Sequence, residues 1–213
     1  MDLGLADRVF VLTGASKGLG FAAAQALVDD GAKVVISSRS SQSVEAAVGQ
    51  LGAGQAIGLA LDNADPTAGE QLVAAARARW GRIDGALVSV GGPPATTALG
   101  ATDEQWTAQF ETVFLGTIRL VRAVAGQLGA GGAIGLVLST SAKSPIGGLA
   151  ISNGFRPGLA QWAKQLADEL GPHGVRVVSF LPGRVLTDRT RALTPEQADR
   201  DRIAAQIPLR RFG

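Results

Sequence analysis

The residues with the clearest chemical potential lie in the run Thr13-Gly14-Ala15-Ser16-Lys17-Gly18-Leu19-Gly20. A glycine at 14 lets a chain turn sharply off a strand. One at 18 lets backbone amides approach a ligand, and one at 20 lets a following helix pack close to a sheet. A helix that starts here presents unpaired amides and the positive end of its dipole, which suits an anion such as a pyrophosphate. Thr13 to Gly20 is therefore expected to bind a dinucleotide, with Gly14, Ser16, Lys17, Gly18, Leu19 and Gly20 as contact residues. That expectation requires a strand before the run and a helix after it.

About twenty residues further on, a dinucleotide site that takes NAD offers a carboxylate to the ribose hydroxyls. This chain has Ser37, Ser38 and Arg39 there. A guanidinium at that place, with Lys17 in the glycine turn, suits a 2′-phosphate, whereas a carboxylate would repel it. The cofactor expected is NADP(H). Asp62 could accept a hydrogen bond from an adenine amino group, and as a lone aspartate it fits a loop or cap role equally well.

The elements around these residues follow from six aliphatic runs: 8–13, 33–38, 55–61, 83–89, 133–139 and 175–180. Each is nearly continuous rather than alternating, the pattern of a strand buried on both faces. Helical patterns separate them. One follows the glycine turn to about Asp30. Asp65-Pro66 reads as an N-cap and first helical residue, opening a helix to about Trp80. Thr102 with Gln105 makes a capping box, after which Trp106, Phe110, Val113, Ile118 and Val121 share one broad helical face. Strand alternating with helix predicts βαβ units with right-handed crossovers, hence a Rossmann-type, doubly wound α/β parallel sheet in one domain. Ligands of such sheets bind outside the carboxyl ends of the strands, at the point where strand order reverses.

Composition narrows the classes. The chain has 213 residues, 46% hydrophobic and 18% charged, with 29 glycines, which suits one folded domain rich in turns. Its 20 Lys+Arg stand against 18 Asp+Glu, and only 189–211 is locally rich in arginine, without interleaved aromatics, so no nucleic-acid partner is expected. No cysteine is present, which rules out disulfides and thiolate chemistry, and no metal site is expected. Asp2 and Asp7 argue against a signal peptide, and glycines break the uncharged stretch 123–142, so a cytoplasmic protein with no membrane partner is expected.

Taken together, Thr13-Gly14-xxx-Gly18-x-Gly20, Asp62, Gly91-Gly92-Pro93, Leu181-Pro182-Gly183 and Thr187-Asp188 resemble the short-chain dehydrogenase/reductase family. The closing Ile207-Pro208-Leu209-Arg210-Arg211-Phe212-Gly213 is similar to that family's segment beyond the substrate loop, so the resemblance runs along the whole chain. It implies an NAD(P)-dependent oxidoreductase acting on a small-molecule carbonyl or alcohol, such as a 3-oxoacyl thioester, sugar or steroid. It also implies that Gly91, Pro182, Gly183 and Thr187 join the cofactor site. A homodimer or homotetramer is implied, paired through helices at 102–128 and 152–170, with Phe114, Trp162 and Leu166 among the apolar residues to be covered. The segment 184–206 is expected to be the substrate loop. The family's closing helix and strand have no counterpart in the 213 residues.

The departures bear on chemistry. The family's catalytic tyrosine and lysine fall on Ser152 and Arg156, its helix asparagine falls near Val113, and its serine is retained as Ser139, with Ser141 beside it. The chain contains no tyrosine at all. A serine hydroxyl is a far weaker acid than a phenol, and a guanidinium does not relay protons. Loss of a positioned general acid costs roughly a hundred- to ten-thousand-fold in rate, while hydride chemistry belongs to the cofactor. Lys143 leaves the strand of Ser139 at the correct end and either donates a proton or is a loop lysine. His173, the single histidine, lies in a turn at the wrong end. Two functions remain: an atypical NADP(H)-dependent reductase using Ser139, Ser152 and Arg156, or a non-catalytic NADP(H)-binding scaffold that pairs with an active relative. A hydrolase built on Ser139 lacks a placed histidine base.

Overall fold

The first aliphatic run forms β1 (Val9–Thr13), and the glycine turn leads from it into α1 (Gly18–Asp29). The alternation then continues through β2 (Lys33–Ser38), α2 (Ser41–Leu51), β3 (Ala56–Ala60), α3 (Ala68–Trp80) and β4 (Gly85–Ser89). After α4 (Asp103–Gln109), a π-helical turn (Phe110–Leu115) and α5 (Gly116–Ala125) come β5 (Ala133–Val137), α6 (Ala150–Leu170) and β6 (Arg176–Phe180). These elements belong to a computed structural model that describes residues 3–213, so Asp2 lies outside it.

Every strand pairs in parallel, in the order β3-β2-β1-β4-β5-β6. Order reverses between β1 and β4, which puts the switch point at the end of the first strand, as expected. Alternate β1 residues face opposite layers. Val9 and Val11 join the core under α3, α5 and α6, while Leu12 joins Val34 and Ile36 under α1 and α2. Burying each such side chain contributes about 1.5–3 kcal/mol, so the central strands anchor the switch point rigidly.

Three local expectations need correction. Burial on both faces fails at both edges of the sheet: Gly58 and Ala60 of β3 are exposed, and Val178 and Phe180 of β6 are 47% and 51% exposed. In the unit that holds β6, α1 and α2 pack against the other half of the sheet. Helix α3 starts two residues later than expected, at Ala68 rather than Pro66, with Thr67 rather than Asp65 as N-cap. Asp65 instead closes the preceding turn, accepting hydrogen bonds from the Thr67 amide (2.8 Å) and hydroxyl (2.7 Å). The long helix after the Thr102–Gln105 capping box runs on without interruption to Ala125, but it is not α throughout: Phe110–Leu115 widens to π geometry. There Thr112 donates to the Ala108 carbonyl and Thr117 to the Val113 carbonyl, back-bonding of the kind that bends helices.

The chain separates into two compact units, the larger ending at Leu181 and the smaller being Pro182–Gly213. The smaller holds α7 (Asp188–Leu193) and α8 (Gln197–Ala204). Its chain end is tied by reciprocal bonds between Leu186 and Gly213 and between Gly213 and Arg184. Among the described residues no helix is long and apolar enough to cross a membrane; Ala123–Ala142 resolves into a helix end, a turn and β5.

Candidate functional site

The carboxyl ends of β1, β2, β4 and β5 lie side by side, with Thr13 paired to Ser37 on one side and Val88 on the other, and Ser89 paired to Val137. At about 4.8 Å per strand spacing, β1 and β5 stand roughly 10 Å apart, so one ligand can touch both. Thr13 stitches the switch point. Its hydroxyl donates to the Ser89 carbonyl (3.0 Å) and accepts from the Ser89 amide (3.1 Å). The Ala15 amide donates to the Ser37 carbonyl at 3.1 Å, fixing the start of the turn against β2.

Close backbone contacts require glycine at two places in this turn. Gly14 has φ +57, and a Cβ there would sit 2.4 Å from the Ser89 carbonyl oxygen. At Gly20 a Cβ would lie 2.5 Å from the Gly14 carbonyl oxygen and 2.9 Å from the Ala15 Cα, so α1 can approach the turn only without a side chain. Lys17, the N-cap of α1, has extended backbone and makes no side-chain cap bond. The first-turn amides of α1 thus have no side-chain acceptor from their N-cap. Lys17, Gly18 and Leu19 are exposed and Ser16 half-buried, so the rim of the cradle is open.

At the end of β2 the hydroxyls of Ser37 and Ser38 are buried without a hydrogen-bond partner, and Arg39 beside them is exposed. Buried hydroxyls without partners are costly, and a polar ligand lying over the end of β2 satisfies them. Asp62, past β3, is exposed, and one of its carboxylate oxygens accepts from the Ala64 amide at 2.9 Å, which is the loop role weighed for it. Gly91 is exposed beyond β4. The glycine cradle, the α1 N-terminus and the orphan hydroxyls fit a dinucleotide: amides for its phosphates, hydroxyls and a guanidinium for the sugar it carries at the β2 end.

A second cluster stands past β5. Ser139 is half-buried and its Oγ accepts from the Ser141 amide at 3.1 Å, opening a short 3₁₀ turn (Thr140–Ala142). Ser141 Oγ lies 3.0 Å from Ser152 Oγ on α6, and both serines are buried, at 2% and 6% exposure. Arg156, one helical turn beyond Ser152 on the same face, is 4% exposed. It donates to the carbonyl of Val137 at the end of β5 (3.2 Å) and to that of Val90 past β4 (3.4 Å). The two strand ends and α6 are thereby cross-braced by a fixed positive charge. Asn153 ties the loop before α6 by exchanging bonds with Ile146 in both directions, at 3.0 and 2.9 Å. The Ser141–Ser152 contact was not foreseen; the only signal was the Ser-x-Ser spacing at a strand end.

Other candidates separate from this cluster. Lys143 is exposed in the loop after the 3₁₀ turn, the position of a loop lysine. His173 is exposed just before β6, at the opposite end of the sheet. Val113 is fully buried within the π turn. Pro182, Gly183 and Thr187 belong to the smaller unit, where Thr187 caps α7 by accepting from the Thr190 amide. Of the residues expected to pair subunits, Val121, Leu159 and Ala163 are core. Trp106, Phe110, Phe114 and Phe155 form an aromatic cluster across the π turn and α6, with Phe110 still 39% exposed.

Comparison with known proteins places this architecture. A family model described as short chain dehydrogenase matches residues 8–198. The L-rhamnose 1-dehydrogenase (NAD(P)(+)) of Azotobacter vinelandii is 32% identical, the match covering 98% of this chain and 85% of the relative. The 3-oxoacyl-[acyl-carrier-protein] reductase of Escherichia coli is 33% identical over 97% of this chain and 84% of its own. Among solved structures, L-sorbose reductase from Gluconobacter frateurii, complexed with NADPH and L-sorbose, has a TM-score of 0.90 at 27% identity, covering 100% of this chain and 87% of that one. A short-chain dehydrogenase/reductase from Brucella melitensis reaches a TM-score of 0.94 at 26% identity, with 100% and 86% covered. The switch-point cradle, the strand order and a match spanning nearly all the residues agree, and the chain belongs to the short-chain dehydrogenase family.

Proposed function

We propose that this protein is an NADP(H)-dependent oxidoreductase that interconverts a carbonyl and an alcohol, with an active site in which Ser139, Ser152 and Arg156 act. The observation that carries the reading is the built cradle at the switch point, with a serine cluster and a guanidinium two strands away. Similarity to a sugar dehydrogenase and to a 3-oxoacyl reductase supports a small polar carbonyl, with a 3-oxoacyl thioester as one class to test. Arg39 and Lys17 favour NADP(H), since both can meet a 2′-phosphate. The proposed protein is cytoplasmic and forms a homodimer or homotetramer.

When bound, the cofactor supplies or takes the hydride. The chain's own residues do the rest. The turn 13–20 holds the phosphates through its amides, and Gly91 leaves room past β4. Ser139 and Ser152 orient the substrate oxygen by hydrogen bonds, and the buried Arg156 stabilises negative charge gathering on it. Ser152 gives the proton, a weaker acid than the tyrosine usual in the family, so turnover is expected to be slow. Single-turnover mixing with NADPH and a panel of ketones, keto sugars and 3-oxoacyl thioesters tests the reading. Loss of NADPH absorbance with at least one compound is expected, and none with any compound refutes it.

The absence of tyrosine favours one second reading, a non-catalytic NADP(H)-binding scaffold that pairs with an active relative. The double variant Ser152→Tyr, Arg156→Lys separates the two. Loss of an existing activity supports chemistry built around Ser152 and Arg156. Gain of activity from an inert starting protein supports the scaffold.

A further inference from the structure

We infer that Ser141 is a positioning residue for proton transfer, holding the Ser152 hydroxyl by a donated hydrogen bond so that the Ser152 proton faces the substrate oxygen. The inference rests on the proposed reductase reading and names a residue which that reading does not use.

The geometry is specific. Ser141 Oγ and Ser152 Oγ are 3.0 Å apart, both side chains are buried, and the Ser141 amide is itself anchored on Ser139 Oγ at 3.1 Å. Three serines thus form one connected chain from the end of β5 to α6. In a hydroxyl pair one member donates and the other accepts. If Ser141 donates, its proton is spent on Ser152, and the Ser152 proton is left for another acceptor. As the carbonyl carbon gains its hydride, the π pair of the C=O bond moves onto oxygen. That oxygen takes the Ser152 proton: the Ser152 O–H bond breaks and the product O–H bond forms. The Ser152 oxygen regains a proton from water as product leaves. Through this step the bond from Ser141 is to a developing alkoxide, and hydrogen bonds to a charged form favour that form. Arg156, one turn away, adds a fixed positive charge but has no proton to give. The hydroxyl of Ser141 therefore compensates in part for the weak acidity of Ser152.

The test uses the full chain and three variants: Ser141→Ala, Ser141→Thr and Ser152→Ala. For a carbonyl reduced by the wild type, Ser141→Ala is expected to lower kcat about 10- to 100-fold. KM and the NADPH dissociation constant, read by NADPH fluorescence, should stay within about threefold. Ser141→Thr keeps a hydroxyl and should recover most of kcat. In the apoprotein, a hydrogen-bonded Ser141 hydroxyl resonance should be present by NMR and lost in Ser152→Ala, which removes its acceptor. A Ser141→Ala kcat within twofold of wild type overturns the inference while leaving the reductase reading intact. So does a loss of NADPH binding that matches the loss of kcat, because that is a fold defect, or a Ser141 hydroxyl resonance that is unchanged in Ser152→Ala. A wild type that binds NADPH but turns over no carbonyl removes the reductase reading, and this inference with it.

Discussion

Gly20→Ala tests the cradle most sharply, because two physical effects predict opposite signs. Gly20 lies in α1 with ordinary helical backbone. By helix propensity alone, alanine should stabilise the fold by roughly 0.5–1 kcal/mol. The new Cβ, however, would stand 2.5 Å from the Gly14 carbonyl oxygen and 2.9 Å from the Ala15 Cα, where ordinary contact begins at 3.4 Å. Both atoms are backbone, so no side chain can rotate aside, and overpacking of this kind costs about 1–3 kcal/mol. The contact term wins, and Gly20→Ala should lose roughly 1–2 kcal/mol once the propensity gain is subtracted. In a domain of this size that is a fall in Tm of about 2–8 °C. Gly49→Ala is the internal control. It sits in α2 with nothing within 4 Å of its would-be Cβ, and should gain up to about 1 kcal/mol. Urea denaturation of the three proteins measures the difference, and NADPH titration should show weakened binding for Gly20→Ala only. If Gly20→Ala is as stable as Gly49→Ala, close packing of α1 on the turn is not what requires glycine, and the reasoning fails.

Other outcomes can be checked independently. Arg39→Ala should cut NADPH affinity about tenfold or more, since a charge-assisted bond is worth about 1.5–3 kcal/mol, while leaving NADH affinity unchanged; calorimetry showing an unaltered NADPH:NADH ratio counts against NADP(H). The Asp65 carboxyl is held below its ordinary value by the Thr67 amide and then the Thr67 hydroxyl. Its stabilising contribution is therefore present above the unfolded value of about 3.9 and lost as pH falls through the lower folded value. Asp65→Ala should accordingly be less stable than wild type at pH 7, with the gap narrowing in acid; urea midpoints that diverge in acid refute this. Light scattering at micromolar concentration should give a mass at or above twice the 21.7 kDa of one chain, reduced by Phe110→Glu, because Phe110 remains exposed within its aromatic cluster. A clean monomer refutes self-association.

Much of this protein was legible in its residues because the governing interactions are local. The aliphatic runs mark all six strands within one or two residues at each end, since a strand buried in a parallel sheet must be apolar along its length. Thr13 to Gly20 announces its turn because glycine spacing is a backbone constraint, and the Thr102–Gln105 capping box is local chemistry confined to four residues. Tertiary structure decided the rest. The edge position of β6, which leaves Val178 and Phe180 exposed, depends on strand order rather than on the strand's own residues. The π geometry of Phe110–Leu115 arises in a helix whose apolar spacing reads equally well as α throughout. The pairing of Ser141 with Ser152, and the reach of Arg156 to the Val137 and Val90 carbonyls, join residues 11, 19 and 66 positions apart on different elements. No periodicity records such contacts, because they exist only once α6 has docked across the ends of β4 and β5.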